Sequence, residues 1–177
     1  MDIIIGILVG VLGSVLASVI IIFSMFNIKP NISISPEIAY GKNKDGKTTY
    51  KIKVKNNSRR SVIDISAELH LLRPFNTPNG IGRDSTLINM RKSGVMKLAP
   101  RGVSDHGEDF AFRFLTEEPL HDLWEDKDGS FLRFRLRATD SVSNHVSVFT
   151  AHYYKKEKCL KYGAHESGDA LLVIPYS

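Results

Sequence analysis

"IIIGILVGVLGSVLASVIIIF", from Ile3 to Phe23, contains no charged side chain, and that run restricts every arrangement open to the chain. As a helix from Ile3 to Phe26 it would measure about 36 Å at about 1.5 Å per residue, against a hydrocarbon core of about 30 Å, so it can span a bilayer with some tilt. Sixteen of those residues are Ile, Leu, Val or Phe, each worth roughly −0.3 to −0.6 kcal/mol on the insertion scale, which outweighs the glycines and serines. A cleaved signal peptide has a basic start, a shorter apolar run and a small-x-small cleavage site. Here the only charge before the run is Asp2, and the run ends in Phe-Ser-Met-Phe-Asn. The expectation is therefore an uncleaved anchor over residues 1–28 and one folded domain over residues 29–177.

Orientation follows from the flanking cations. No Lys or Arg precedes the span, whereas Lys29, Lys42, Lys44, Lys47 and Lys51 follow it, and cationic flanks stay in the cytosol. The expected topology is single-pass, with the N-terminus outside and the C-terminal domain cytosolic. The lone cysteine, Cys159, can form no intrachain disulfide and agrees with a reducing compartment. With the opposite orientation, Asn31-Ile-Ser33 and Asn56-Asn57-Ser58 would match a glycosylation acceptor pattern.

The remainder reads as β-structure. "NISISPEIAY" and "TYKIKVKN" alternate apolar and polar residues on either side of the turn-rich "GKNKDGK", which predicts a hairpin. "VIDISAELHLLR" sets Ile63, Ile65, Ala67, Leu69 and Leu71 against Asp64, Ser66, Glu68 and His70, a period of two over a long strand. "DFAFRF" and "FLRFRLRATD" repeat the pattern. "HVSVFTAHYY" is apolar in part on both faces, as a strand near the middle of a sandwich would be; "ALLVIPY" is expected to close the sheet. Pro119 in "TEEPLHDLWED" predicts the start of a short helix through Leu120, Leu123 and Trp124. Seven or more strands without βαβ alternation predict an all-β fold, an antiparallel immunoglobulin-like β-sandwich behind a single transmembrane helix.

Several of these segments resemble the cytosolic domain of inward-rectifier potassium channels. The likeness lies in "KVKNNSRRSVIDISAELHLLR", in Glu118-Pro119-Leu120 before a short helix, in "FLRFRLRATDS" with its acidic turn at Asp140, and in Tyr153 or Tyr154 followed by "LKYGA". It extends over roughly residues 34–170. The resemblance implies a cytosolic domain that assembles as a ring beneath the membrane and senses lipids, nucleotides or protein partners at its subunit boundaries. A potassium pore of that design needs a re-entrant selectivity loop between two spanning helices. This sequence supplies one span and no such loop, so only the sensing or assembling part of that design is implied.

Catalytic patterns are missing. The histidines at 70, 106, 121, 145, 152 and 165 form no His-Glu-x-x-His, and one cysteine cannot begin a zinc site of the usual cysteine-rich kind. Ser104-Asp105-His106 brings three triad residue types together, but adjacent residues point apart, and a polar turn is expected there. A pairing of His152 with Cys159 is weighed against a small buried cysteine, the commoner state. The expectation is a protein that is not an enzyme and needs no cofactor or metal. The net charge of +5 comes without any block of five or six adjacent like charges and without a nucleic-acid motif, so nucleic acid is not an expected partner.

Two features remain as candidate sites. Arg133, Arg135 and Arg137 share one face of a strand, with Arg59 and Arg60 in a turn expected nearby. They form either a solvated face paired with Asp64 and Glu68 across strands, or a recognition face for an anionic ligand or acidic protein partner. In the helix, Gly6, Gly10, Ser14 and Ser18 recur every four residues, with Gly13 and Ala17 beside them. Such a small-residue stripe lets helices approach closely in lipid, so a homo-oligomer is expected. The functional expectation is a membrane-anchored, non-enzymatic domain that binds a ligand or partner on the cytosolic side. Its alternatives are a membrane effector whose helices cluster into a pore or disrupt the bilayer, and an outward-facing envelope or adhesion module.

Overall fold

The computed structural model describes residues 2–26, 28–102, 109–125 and 129–176. Helix α1 spans Asp2–Phe26. Its stretch Ile3–Met25 has a mean hydropathy of 2.8, is long and apolar enough to cross a membrane, and none of its most apolar window is buried inside the chain. The serines within it are compatible with lipid because their hydroxyls bond back to the helix: Ser14 Oγ donates to the Val11 carbonyl and Ser18 Oγ to the Ser14 carbonyl, both at 2.8 Å.

After the helix come β1 (Ile32–Ile34), β2 (Ile38–Lys42), β3 (Thr48–Asn56), β4 (Val62–Thr77), β5 (Gly80–Ile88), β6 (Gly94–Leu98) and β7 (Ala111–Thr116). The short helix α2 (Leu120–Leu123), β8 (Phe131–Asp140), β9 (Val146–Tyr153), α3 (Lys156–Cys159), β10 (Leu160–Tyr162), β11 (Ala164–His165) and β12 (Val173–Ile174) complete the order. The first sheet is centred on β3, which pairs with β7 along one edge and with β1 and β2 along the other; β10 extends it beyond β2. β1 and β2 are two halves of one strand path, interrupted at Ser35-Pro36-Glu37, where proline removes a ladder donor. The second sheet is centred on β4 and β8: β5 and β6 share the outer edge of β4, and β9 pairs with the far side of β8.

The chain is thus mostly β behind an apolar helix, and its strand pairs are antiparallel except β2 with β10, which are parallel. That exception arises because the chain leaves the second sheet at β9, turns through α3 and enters the first sheet beside β2. Apolar residues of both sheets form one core, including Ile52, Val54 and Phe114 from the first and Leu69, Leu71, Leu132, Phe134 and Leu136 from the second. Phe114 and Phe134 meet across it at 5.6 Å. Tyr153 Oη on β9 donates to the Ser35 carbonyl at 2.9 Å, using an acceptor exposed by the β1/β2 break.

Several expectations change in detail. The proline-led helix forms at α2, and Trp124 just after it is fully buried, its Nε1 donating to the Ser130 carbonyl at 3.1 Å. In β4 the alternation is broken by a bulge between Ile63 and Ser66, with Asp64 at φ 50. The phase shifts there, so that Val62 is buried and Ile63 only half-buried. β9 is an edge strand, not a central one. Its mixed apolar character reflects exposed Val146 and Val148 on one side and half-buried Phe149 and Ala151 on the other. "ALLVIPY" joins neither main sheet; Val173 and Ile174 pair with β11 in a two-stranded ribbon.

That ribbon belongs to a C-terminal strap laid over the outer face of β3. Lys53, expected at the solvated side of the strand, is fully buried, and its Nζ donates to the Glu166 and Gly168 carbonyls at 2.7 Å each. Lys55 and Arg101 pair with Asp169 at 3.5 and 2.7 Å. The strap's entry needs glycine: Gly163 has φ +152, and a side chain there would collide with the Ile174 carbonyl.

Candidate anion-binding face

The period of two places Arg133, Arg135 and Arg137 together on the outer side of β8, away from the core formed by Leu132, Phe134 and Leu136. Register defines their neighbours. Arg133 lies between His70 of β4 and His152 of β9, Arg135 between Glu68 and Thr150, and Arg137 between Ser66 and Val148. From the edge strand β5, Arg83 lays its guanidinium over the Phe131 ring at 5.7 Å to the centroid, a favourable cation–π placement. Phe131 also meets His152 at 5.6 Å and Tyr154 at 5.2 Å, and the last two rings stack at 5.8 Å. One half of the face is therefore cationic and the other mixes cation with aromatic rings.

Glu68 is the one carboxylate that the paired register sets on this face, directly opposite Arg135. Its carboxylate meets His70 Nε2 at 3.2 Å instead, and His70 Nδ1 in turn lies 3.0 Å from Ser85 Oγ. Among the described residues, no ion pair is formed by Arg133, Arg135 or Arg137. The Nε of Arg133 is buried without any hydrogen-bond partner. A buried donor left unmet costs about 1–3 kcal/mol, and this one lies beneath the surface of the face. The expected pairing of Asp64 with this ladder does not form either, because the bulge turns Asp64 out of register.

Arg59 and Arg60 part company. Arg60 Nε contacts Asp140 Oδ2 at 3.0 Å, and the Asp140 carboxylate is completely buried. Its Oδ1 also accepts from the amides of Val142 at 2.9 Å and Ser143 at 3.1 Å. Burial alone would raise this carboxyl; the Ser143 and Val142 amides and Arg60 outweigh it and hold it below the usual carboxylate range. Arg60 is a structural residue and leaves the candidate face. Arg59 is exposed beside it in the same loop.

The helix stripe is open. A Cβ placed on Gly6, Gly10 or Gly13 would meet nothing within 4 Å, so a second helix has room to approach there; Ser14, Ala17 and Ser18 on the neighbouring turns are equally exposed. Ser104-Asp105-His106 lies outside the described residues. Cys159 packs against the core, while His152 is exposed on the outer face. Among the described residues no group of three or more His, Cys, Asp or Glu is placed to hold a metal.

One cluster has no precursor in the sequence reading. At the end of the domain far from α1, Tyr50 Oη lies 2.6 Å from His121 Nδ1, and Tyr40 meets the same ring edge-on at 4.6 Å. Burial, then the nearby Lys156, pushes the His121 ring below the ordinary histidine range, and burial pushes the Tyr50 phenol up. A cavity of about 800 Å³ opens between Tyr40, His121, Lys156, Glu125 and Glu157. These residues are contributed by four separate segments, and nothing local in the sequence marks them as a cluster.

No family model matches the chain, and no curated protein matches it. In structure it is similar to Spo0M, a sporulation control protein from Bacillus subtilis, at 13% identity and TM-score 0.40, over 71% of this chain and 48% of that one. It is also similar to a FixG-related protein from Vibrio parahaemolyticus at 13% identity and TM-score 0.28, over 72% of this chain and 96% of that one. The chain spans about half the length of Spo0M. At these scores the functional reading rests on the chain's own residues.

Proposed function

We propose that this is a single-pass membrane protein whose immunoglobulin-like sandwich faces the cytosol and binds a soluble anionic ligand or an acidic partner on the Arg133, Arg135 and Arg137 face, without catalysis. The observation that carries the reading is that Arg133, Arg135 and Arg137 share one outer face and form no ion pair among the described residues, the face's one carboxylate being held by a histidine. Guanidinium groups in that state suit phosphate or carboxylate oxygens, which they bind bidentately. The cytosolic placement is supported by the lysines that follow the span and by the resemblance to inward-rectifier cytosolic domains.

Strand direction favours a soluble ligand over a lipid headgroup for this face. β8 runs toward the end of the domain where α1 enters, and Arg133 lies seven residues before Asp140 at that end, about 23 Å at about 3.3 Å per residue. Only Arg137 is near the bilayer end. The open Gly6, Gly10 and Gly13 stripe supports assembly through the helices, which would present several such faces together.

The test is binding of a fluorescent nucleoside triphosphate and of an acidic peptide to the full chain in nanodiscs. Replacing Arg135 by Glu is expected to weaken the bound member of that pair by tenfold or more, since a charge-assisted hydrogen bond contributes about 1.5–3 kcal/mol. Equal affinity in wild type and Arg135→Glu, or no binding of either probe by the wild type, would refute the assignment of this face.

A further inference from the structure

We infer that the turn between β8 and β9, with Val142 at its tip, is seated in the headgroup layer of the bilayer, making the lipid interface a direct binding partner of the domain. This rests on reading α1 as a membrane span. The chain leaves α1 at Phe26 and enters β1 at Ile32, and of the residues between them Ile28, Pro30 and Asn31 are held by the domain or the helix. The Ile28 amide donates back to the Met25 carbonyl at 3.1 Å, and the Ile28 carbonyl accepts from Ser143 Oγ at 2.7 Å. Pro30 is buried. The Asn31 amide donates to Ser58 Oγ at 3.0 Å, and its carbonyl accepts from the Asn57 amide at 2.8 Å. The domain is thus tied directly to the end of the span.

The turn reaches back along the helix. Ile22 and Met25 enclose a cavity of about 430 Å³ together with Ser143, Asn144, His145 and Val146. Ile22 precedes the helix end at Phe26 by four residues, about 6 Å at about 1.5 Å per residue. The turn therefore stands level with the last apolar turn of the span. A 23-residue apolar stretch is about 35 Å long against a hydrocarbon core of about 30 Å, so that last turn lies at the boundary between acyl chains and headgroups.

The chemistry of the turn suits that layer. Val142 is 50% exposed and Val146 44% exposed, and the turn's one carboxylate, Asp140, is buried and used internally. Asp140 also fixes the turn, capping the Val142 and Ser143 amides, so the valine is held outward on a firm support. Exposed Arg59 stands in the adjoining loop, which is joined to the turn by the Ser141 amide and the Ser61 carbonyl at 3.2 Å, and exposed Lys29 follows the helix. Apolar tips with flanking cations match an anionic headgroup layer.

The experiment uses the full chain in vesicles of phosphatidylcholine and phosphatidylserine. Single cysteines at Val142→Cys, Ser141→Cys, Leu12→Cys and Ile81→Cys, each with Cys159→Ser, carry an environment-sensitive fluorophore. Spin-labelled lipids with the quencher near the headgroup or deep in the acyl chain report depth. The inference expects blue-shifted emission and headgroup-level quenching at positions 142 and 141, deep quenching at 12, and none at 81 on the distal hairpin. Quenching at 12 with neither 141 nor 142 quenched overturns the seating of the turn and leaves the span intact. No quenching at 12 removes the span, and the inference with it.

Discussion

At the Asp140 node one substitution removes several interactions at once. Its carboxylate is fully buried, takes two backbone amides at 2.9 and 3.1 Å, and pairs with Arg60 at 3.0 Å. Replacing Asp140 by Ala strands both amides, at about 1 kcal/mol each, and removes the partner of Arg60. Breaking a fully buried pair costs about 3–5 kcal/mol, but the Arg60 side chain is 34% exposed and water can resolvate it, so that part falls to about 1 kcal/mol. The sum is about 3 kcal/mol. Asp140→Asn keeps an oxygen for the amides but turns its NH2 toward the Arg60 Nε–H, losing that ion pair and its hydrogen bond, which predicts a cost of about 1–2 kcal/mol. The assay is urea unfolding of the full chain in detergent, followed by emission of the single, buried Trp124. With a slope of about 2 kcal/mol per molar, Asp140→Ala should lower the midpoint by about 1.5 M. Because the folded carboxyl titrates below its unfolded value, this contribution is present above the unfolded pKa and fades as pH falls through the folded one. An Asp140→Ala cost under about 0.5 kcal/mol would refute the reasoning. Equal costs for Ala and Asn would show that charge, not the capping of the turn, holds the site.

Two further outcomes follow from residues off the candidate face. Buried His165 titrates at about 4, lowered first by burial and then by Arg113, Lys53 and Lys51, against the opposing hydrogen bond to the Glu37 carbonyl. Its folded form binds protons less readily than its unfolded form, so stability should fall by about 2 kcal/mol between about pH 7 and about pH 5; the same urea titrations with His165→Gln should flatten that slope, and an unchanged slope would sink the assignment. In the span, Gly10→Ile fills the open stripe and is expected to reduce self-association measured by crosslinking in detergent or bilayer, while an unrelated site such as Leu12→Ile leaves it intact; equal crosslinking in both variants would count against helix packing through Gly10.

What could be read in advance was whatever has a period. The apolar run, the alternation in "FLRFRLRATD" and the proline before Leu120 each encode local geometry, and each reappears in α1, β8 and α2. β5 and β6 escaped notice for a physical reason. The β5 half of its hairpin projects past the core, so Arg83, Asp84, Ser85 and Thr86 are all exposed and no alternation is imposed on them. The Asp64 bulge was equally silent, since a single residue at positive φ leaves no compositional trace. Lys53 shows the opposite failure: its alternation correctly placed it on the outer side of β3, and only the strap from more than a hundred residues away turned that side into an interior. The same logic governs the arginine ladder. Its common face was legible because period two guarantees it, but whether those charges were already answered depended on the partner that Glu68 takes, and that is set by the register of β4 against β5 and β8. With Glu68 turned to His70 and Arg60 held by Asp140, the carboxylates nearest the ladder are occupied, and it is on that arrangement that an external anion is proposed for this face.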